Sequence, residues 1–164
     1  MGMLLALGGI FLLILIIGVG IAYVLGALTS LKILTAFGYQ NTWHAWVPFM
    51  NLYAVGTCCT STTDQNDTLI DQLKVPNFVI QWGWVIVMAI DFIPKVGGVL
   101  STVAGVFYYG TVYRFIYSRL FGDNSLAMAI ISGFLKIVFY IRILASGKDV
   151  LEVRSAPEDA YPQH

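Results

Sequence analysis

Gly38-Tyr39-Gln40-Asn41-Thr42-Trp43-His44-Ala45-Trp46-Val47-Pro48-Phe49-Met50-Asn51-Leu52-Tyr53-Ala54-Val55-Gly56 follows directly on a long apolar run. It carries two tryptophans, a histidine, a proline and two asparagines, and no Asp, Glu, Lys or Arg occurs between Lys32 and Asp64. The stretch is too polar for an ordinary lipid-facing helix and too apolar and aromatic for a water-exposed loop. Trp43 and Trp46 suit the aromatic belt of a membrane interface, where an amphipathic ring sits at headgroup level. In the first turns of a helix beginning near Thr42, the missing N–H of Pro48 costs little, and Thr42 is a suitable cap. The stretch predicts an interfacial entry and a short helix over residues 43–57, which either crosses the membrane or dips in and returns. In both cases its irregular backbone must be buried in protein, because lipid satisfies no free N–H or C=O.

Composition agrees. The 164-residue chain is 58% hydrophobic and 11% charged, against about 25% charged in an ordinary soluble domain. So little charge cannot coat a water-exposed surface. Nine acidic and nine basic residues cancel, so no basic face for nucleic acid is indicated. Cys58 and Cys59 are adjacent and no Cys-x-x-Cys occurs, so they read as two small, partly buried thiols.

From Met3 to Ser30 there is no charge, which exceeds the ~20 apolar residues a spanning helix needs. The run lacks the basic start and short core of a secretory signal. Further spans are expected at about 75–94, 97–120 and 124–145, with a polar loop at 57–74 in which residues 67–73 form a short surface helix, and a polar tail at 148–164. The expected class is all-α: a polytopic transmembrane bundle of four full spans plus one short or re-entrant helix. Small residues recur at four-residue spacing in three helices: Gly18, Ala22, Gly26 and Ser30; Gly97, Ser101 and Gly105; Ser125, Ala129 and Gly133. That spacing puts each set on one face, where a second backbone can approach closely. Basic residues near the span ends favour an N-terminus outside and a C-terminus inside, with the Asp-rich loop outside.

The order of parts resembles an uncharacterised bacterial family of short multi-pass membrane proteins. The likeness rests on Gly38 followed by Trp46-Val47-Pro48-Phe49-Met50-Asn51-Leu52-Tyr53, on the Phe121-Gly122 turn, and on a last helix with Phe139-Tyr140. It covers about residues 20–147. It implies a helical architecture in the bacterial cytoplasmic membrane and no activity. Within the chain, Val47-Pro48-Phe49-Met50-Asn51 and Ile93-Pro94-Lys95-Val96-Gly97 read as a faint internal repeat.

Lys136 falls midway along the expected last span, where a charge costs roughly 2.5–3.5 kcal/mol. Asp91 is the acidic residue inside a span, and a structural ion pair with Lys136 is expected, with Arg142 as competitor. His44 lacks further ligands at metal spacing and reads as a hydrogen-bonded interfacial histidine. Asn51 reads as a partner for a neighbouring helix or for a carbonyl near Pro48. No nucleophile, metal or phosphate-loop pattern is present, and no cofactor is expected. The leading function is a non-enzymatic structural or accessory subunit, surrounded by lipid and packing against itself or other membrane subunits. The alternative is a solute or ion pathway lined by Asp91, Lys136, Arg114 and Asn51.

Overall fold

The computed structural model describes residues 2–60, 65–70 and 72–146. The elements run α1 (Gly2–Ala36), a 3-10 turn (Thr42–Trp46), α2 (Met50–Cys58), β1 (Gln65–Asp67), β2 (Lys74–Pro76), α3 (Asn77–Asp91), α4 (Gly97–Phe121), α5 (Leu126–Phe134) and α6 (Lys136–Ala145). The all-α class holds apart from the two short strands.

The number of spans is corrected. Among the described residues, α1 alone is both long and apolar enough to cross a membrane as a straight helix. At 15 residues, α3 is short of the ~20 required. At 25 residues, α4 is long enough, but its second half is a run of tyrosines with Thr111 and Arg114. The expected 124–145 span is two helices, α5 and α6, bent by 115° at Leu135. Lys136 is therefore the first residue of α6, at the break, and not the middle of a span.

The two halves of α1 differ. Residues 7–24 are exposed along their length, whereas Ala27, Thr29, Ile33, Leu34 and Phe37 are buried in the bundle. The chain then turns back along α1. The hydroxyl of Tyr23 donates to the carbonyl of Trp46, which places Trp46 about 20 Å before the end of α1, at 1.5 Å per residue.

Residues 43–57 are not one helix. Val47 is extended, with φ −96 and ψ 120, as the residue before a proline prefers. A 3-10 turn ends there, and α2 begins anew after Pro48. Thr42 caps nothing: the turn's N-cap is Asn41, and it makes no side-chain cap bond. Phe49 has φ 68 and Lys95 has φ 70, each directly after a proline. The two members of the faint repeat thus share a proline followed by a residue of positive φ shortly before a helix.

The polar loop is not simply solvated. β1 and β2 form an antiparallel hairpin with Asn66 opposite Val75, so the expected surface helix at 67–73 is replaced by strand and turn. Residues 61–64, residue 71 and the expected tail at 148–164 lie outside the described residues. Asn66 and Thr68 are buried. Asn66 donates to Asn77 Oδ1 at 2.6 Å.

Ile33 and Leu34 of α1, Ala54 and Cys58 of α2, Ile80 of α3, Ile116 and Tyr117 of α4, and Phe139 and Ile143 of α6 share one core. The directions of the helices follow from the contacts. Gly26 meets Tyr140 and Lys32 meets residues 143–146, so α1 and α6 run parallel. Lys136 lies over Tyr109, Phe139 on Tyr113 and Arg142 over Tyr117, so α4 and α6 are parallel too.

Candidate functional site

The charged residues separate into local structural contacts. The ammonium of Lys32 donates to the carbonyls of Ile143 at 2.9 Å and Leu144 at 3.1 Å, and to that of Ser146. These are C-terminal acceptors of α6 that lack helical partners, and a cation there also meets the negative end of the helix dipole. Arg114 donates to the carbonyl of Thr68 at 3.0 Å, while the N–H of Leu69 donates to Thr111 Oγ1 at 3.3 Å. The hairpin is thereby fastened to α4.

Arg142 pairs with Asp123 at 2.6 Å and lies over the rings of Tyr117 (4.5 Å) and Phe121 (5.0 Å). Asp123 also accepts the N–H of Ser125 at 2.9 Å. The Arg142 hydrogen bond, then the Ser125 N–H, hold the Asp123 carboxyl below the ordinary aspartate range.

The expected Asp91–Lys136 ion pair does not form. Asp91 accepts from Ser101 Oγ at 2.8 Å, close to the α3–α4 turn. Lys136 stands 3.7 Å from the centre of the Tyr109 ring, a cation–π contact. The physical reason is the break at Leu135: α6 starts anew beside the middle of α4, more than two turns from Asp91's contact at Ser101. Asp91, Lys136 and Arg114 have separate contacts, with Ser101, Tyr109 and Thr68 respectively. Asn51 is half-buried on α2. His44 Nδ1 meets the hydroxyl of Tyr39 at 3.2 Å, and its ring packs edge-on to Trp43. Among the described residues no three His, Cys, Asp or Glu side chains are grouped to hold a metal.

The small-residue stripes divide. A Cβ on Gly97 would stand 2.7 Å from the carbonyls of Ile90 and Asp91, and one on Gly105 would touch Val87 at 3.5 Å. Together with Ser101, this stripe packs α4 on α3. A Cβ on Gly133 would meet Val106 O at 2.8 Å, and Ala129 is fully buried, so both lie in the α4–α5 crossing. Ser125 departs from packing and caps α5, accepting the Met128 N–H at 3.4 Å. On α1, a Cβ on Gly26 would meet the Tyr140 hydroxyl at 3.4 Å and Ser30 is half-buried, but a Cβ on Gly18 would have nothing within 4 Å and Ala22 is exposed.

Three packing glycines fall outside these stripes. Gly56 approaches the Ile80 carbonyl at 2.7 Å, Gly83 the Tyr108 ring at 2.6 Å, and Gly110 the Leu69 side chain at 2.7 Å, each measured from a notional Cβ. The available signal was a glycine inside a helical run, which costs about 1 kcal/mol and calls for a packing reason. The α2–α3 contact is lined with rings: Phe49 stacks on Trp84 at 5.5 Å, and Tyr53 lies against Trp82 at 5.0 Å.

What stays unpartnered is the outer half of α1. Leu7, Ile10, Phe11, Ile14, Ile17 and Ile21 are each more than half exposed. Ile17, Gly20, Ile21, Val24 and Leu25 line a shallow apolar groove, and Gly20, like Gly18, has open space where a side chain would stand. No known protein family, curated protein or solved structure matches the chain.

Proposed function

We propose that this is a non-enzymatic integral membrane protein, a structural or accessory subunit that docks the outer half of α1 against a helix of a second copy or of another membrane subunit. The observation that carries the reading is the bare outer half of α1, with an apolar groove at Gly20 and open space at Gly18 on the other side of the helix. Residues 7–24 extend about 27 Å at ~1.5 Å per residue, close to the ~30 Å hydrocarbon thickness of a bilayer. Acyl chains satisfy an apolar surface, but they gain little from open space at glycine. A second helix gains backbone-close van der Waals contact there, which is how helices associate in lipid. The bacterial cytoplasmic membrane, with the N-terminus outside, is the compartment this reading takes.

The test is a photo-crosslinking side chain at Ile21, irradiated in native membranes. A discrete adduct of fixed mass is expected, and it should disappear in Gly18→Leu/Gly20→Leu, which fills the notches without touching the bundle. Capture of monomer and lipid alone would remove the proposal.

A further inference from the structure

We infer that the chain enters one membrane face with two re-entrant hairpins, residues 37–60 and α5–α6, whose apolar tips rest in the acyl layer of a single leaflet, and that the basic end of the molecule lies on that leaflet's anionic headgroups. The inference rests on membrane immersion, as proposed above, but not on any partner for α1.

The geometry is a chain of contacts. Because α1 and α4 both run parallel to α6, they run parallel to each other. The bare half of α1 and the α3–α4 turn therefore project the same way. The opposite end holds the close of α1, where Lys32 meets the end of α6, and the start of α5, where Asp123 meets Arg142. The chain between Asp123 and Arg142 thus leaves that end and comes back to it. Segment 37–60 behaves likewise. It descends from the end of α1 to Tyr23, turns at Phe49, which stacks on Trp84, and returns along α3 until Gly56 meets Ile80. The tips are apolar and open: Phe49 is 52%, Phe134 68% and Leu135 49% exposed. Lys136, beside the second tip, lays its ammonium on the Tyr109 ring, which offsets part of the cost of charge at depth.

Charge supplies the partner. Lys32, Lys74, Arg114, Arg119 and Arg142 lie toward the re-entrant end, with Asp67 opposite Lys74 and Asp123 paired to Arg142, while Lys95 is the one basic residue of the α3–α4 turn. Gly97 lies about 26 Å from Arg114 along α4. An excess of Lys and Arg near span ends marks the cytoplasmic side, whose anionic lipids attract such residues. On this topology the β1–β2 hairpin and the end of α6 are both inside.

Single cysteines at Gln40, Lys95, Asn124 and Ala145, all exposed positions, test it with a membrane-impermeant maleimide on inverted and right-side-out vesicles. Cys58 and Cys59 are buried. They are replaced by alanine, or kept as the unlabelled background if the double variant does not fold. Labelling of Gln40→Cys, Asn124→Cys and Ala145→Cys in inverted vesicles alone, and of Lys95→Cys in right-side-out vesicles alone, is the expected result. Asn124→Cys and Ala145→Cys on opposite faces overturns re-entry; Lys95→Cys sharing their face overturns the further requirement that α3, 15 residues long, crosses together with the turn at 92–96 beside α4. The same grouping with the faces exchanged overturns the assignment to the anionic leaflet. Each of these can fail while Ile21 still crosslinks, so the two proposals fail separately.

Discussion

Asp123 and Arg142, nineteen positions apart, are joined by a 2.6 Å ion pair. A continuous helix would hold them about 28 Å apart. The bend at Leu135 brings them together, and the pair closes the α5–α6 hairpin at its open end, with the guanidinium sandwiched against Tyr117 and Phe121.

Asp123→Asn should lower stability by about 0.5–1 kcal/mol, the range for a partly exposed pair. Arg142→Ala should cost more, about 1–2 kcal/mol, because two ring contacts go with the charge. The pH dependence has a definite sign. The folded-state value of Asp123 is depressed, so its contribution is present above the ordinary aspartate value of about 3.9 and is lost as pH falls through the depressed value. Thermal unfolding in detergent between pH 6 and pH 3 should show that loss in the native chain and lack it in Asp123→Asn.

Gly133→Ala should destabilise the bundle by about 1–3 kcal/mol, as overpacking does. The new methyl would stand 2.8 Å from Val106 O and 3.1 Å from Gly110 N, both backbone atoms that cannot step aside. Gly18→Ala has nothing within 4 Å and should leave the melting temperature of the isolated protein unchanged or slightly raised, since alanine favours helix. Equal losses in the two variants would contradict the packing described here.

Lys32→Met should loosen the end of α6. The side chain keeps its apolar stem but leaves the carbonyls of Ile143, Leu144 and Ser146 without their donor, at about 1–3 kcal/mol for charge-assisted hydrogen bonds. Hydrogen exchange should quicken over the last turn of α6 and remain unchanged in α3. Lys32→Arg, which retains charge and donors, should recover part of the protection.

These residues also indicate what could be read from sequence. The extent of α1 and α4 was legible because apolar runs and terminal polar residues act locally. The Gly97–Gly105 and Ala129–Gly133 contacts were legible because four-residue spacing fixes a helix face whatever packs on it. The break at Leu135 was not: no proline marks it, and the apolar pattern continues through it. Lys136 was the available sign, since a charge inside an apolar run often stands where a helix ends rather than where it is paired. The segment after α1 was half legible. Pro48 was placed inside a helix because its own N–H was the consideration, whereas its constraint on Val47 is what divides the segment. Partner choice was the least legible of all. Asp91, Lys136 and Arg142 were matched by charge, but their partners follow from helix directions that only the fold provides.

Trp84 supplies a test of opposite sign. Its Nε1–H is buried and, alone among the described buried side-chain polar atoms, has no acceptor. A buried donor without a partner carries its full desolvation cost, about 1–3 kcal/mol. Trp84→Phe removes that donor and retains an aromatic ring to stack against Phe49. The lost ring area works against the gain, so the net change should lie within about 1 kcal/mol of zero, far from the 3–5 kcal/mol usual for deleting a buried aromatic. Tyr108→Phe on the facing helix is the control. Its hydroxyl donates to the Ile80 carbonyl at 2.8 Å, and its removal should cost about 1 kcal/mol with no compensating relief. Chemical denaturation in detergent of the two single variants, followed by circular dichroism because tryptophan emission is itself altered, separates the cases. If Trp84→Phe proved the more damaging, the indole N–H would have a partner that the packing around it does not reveal.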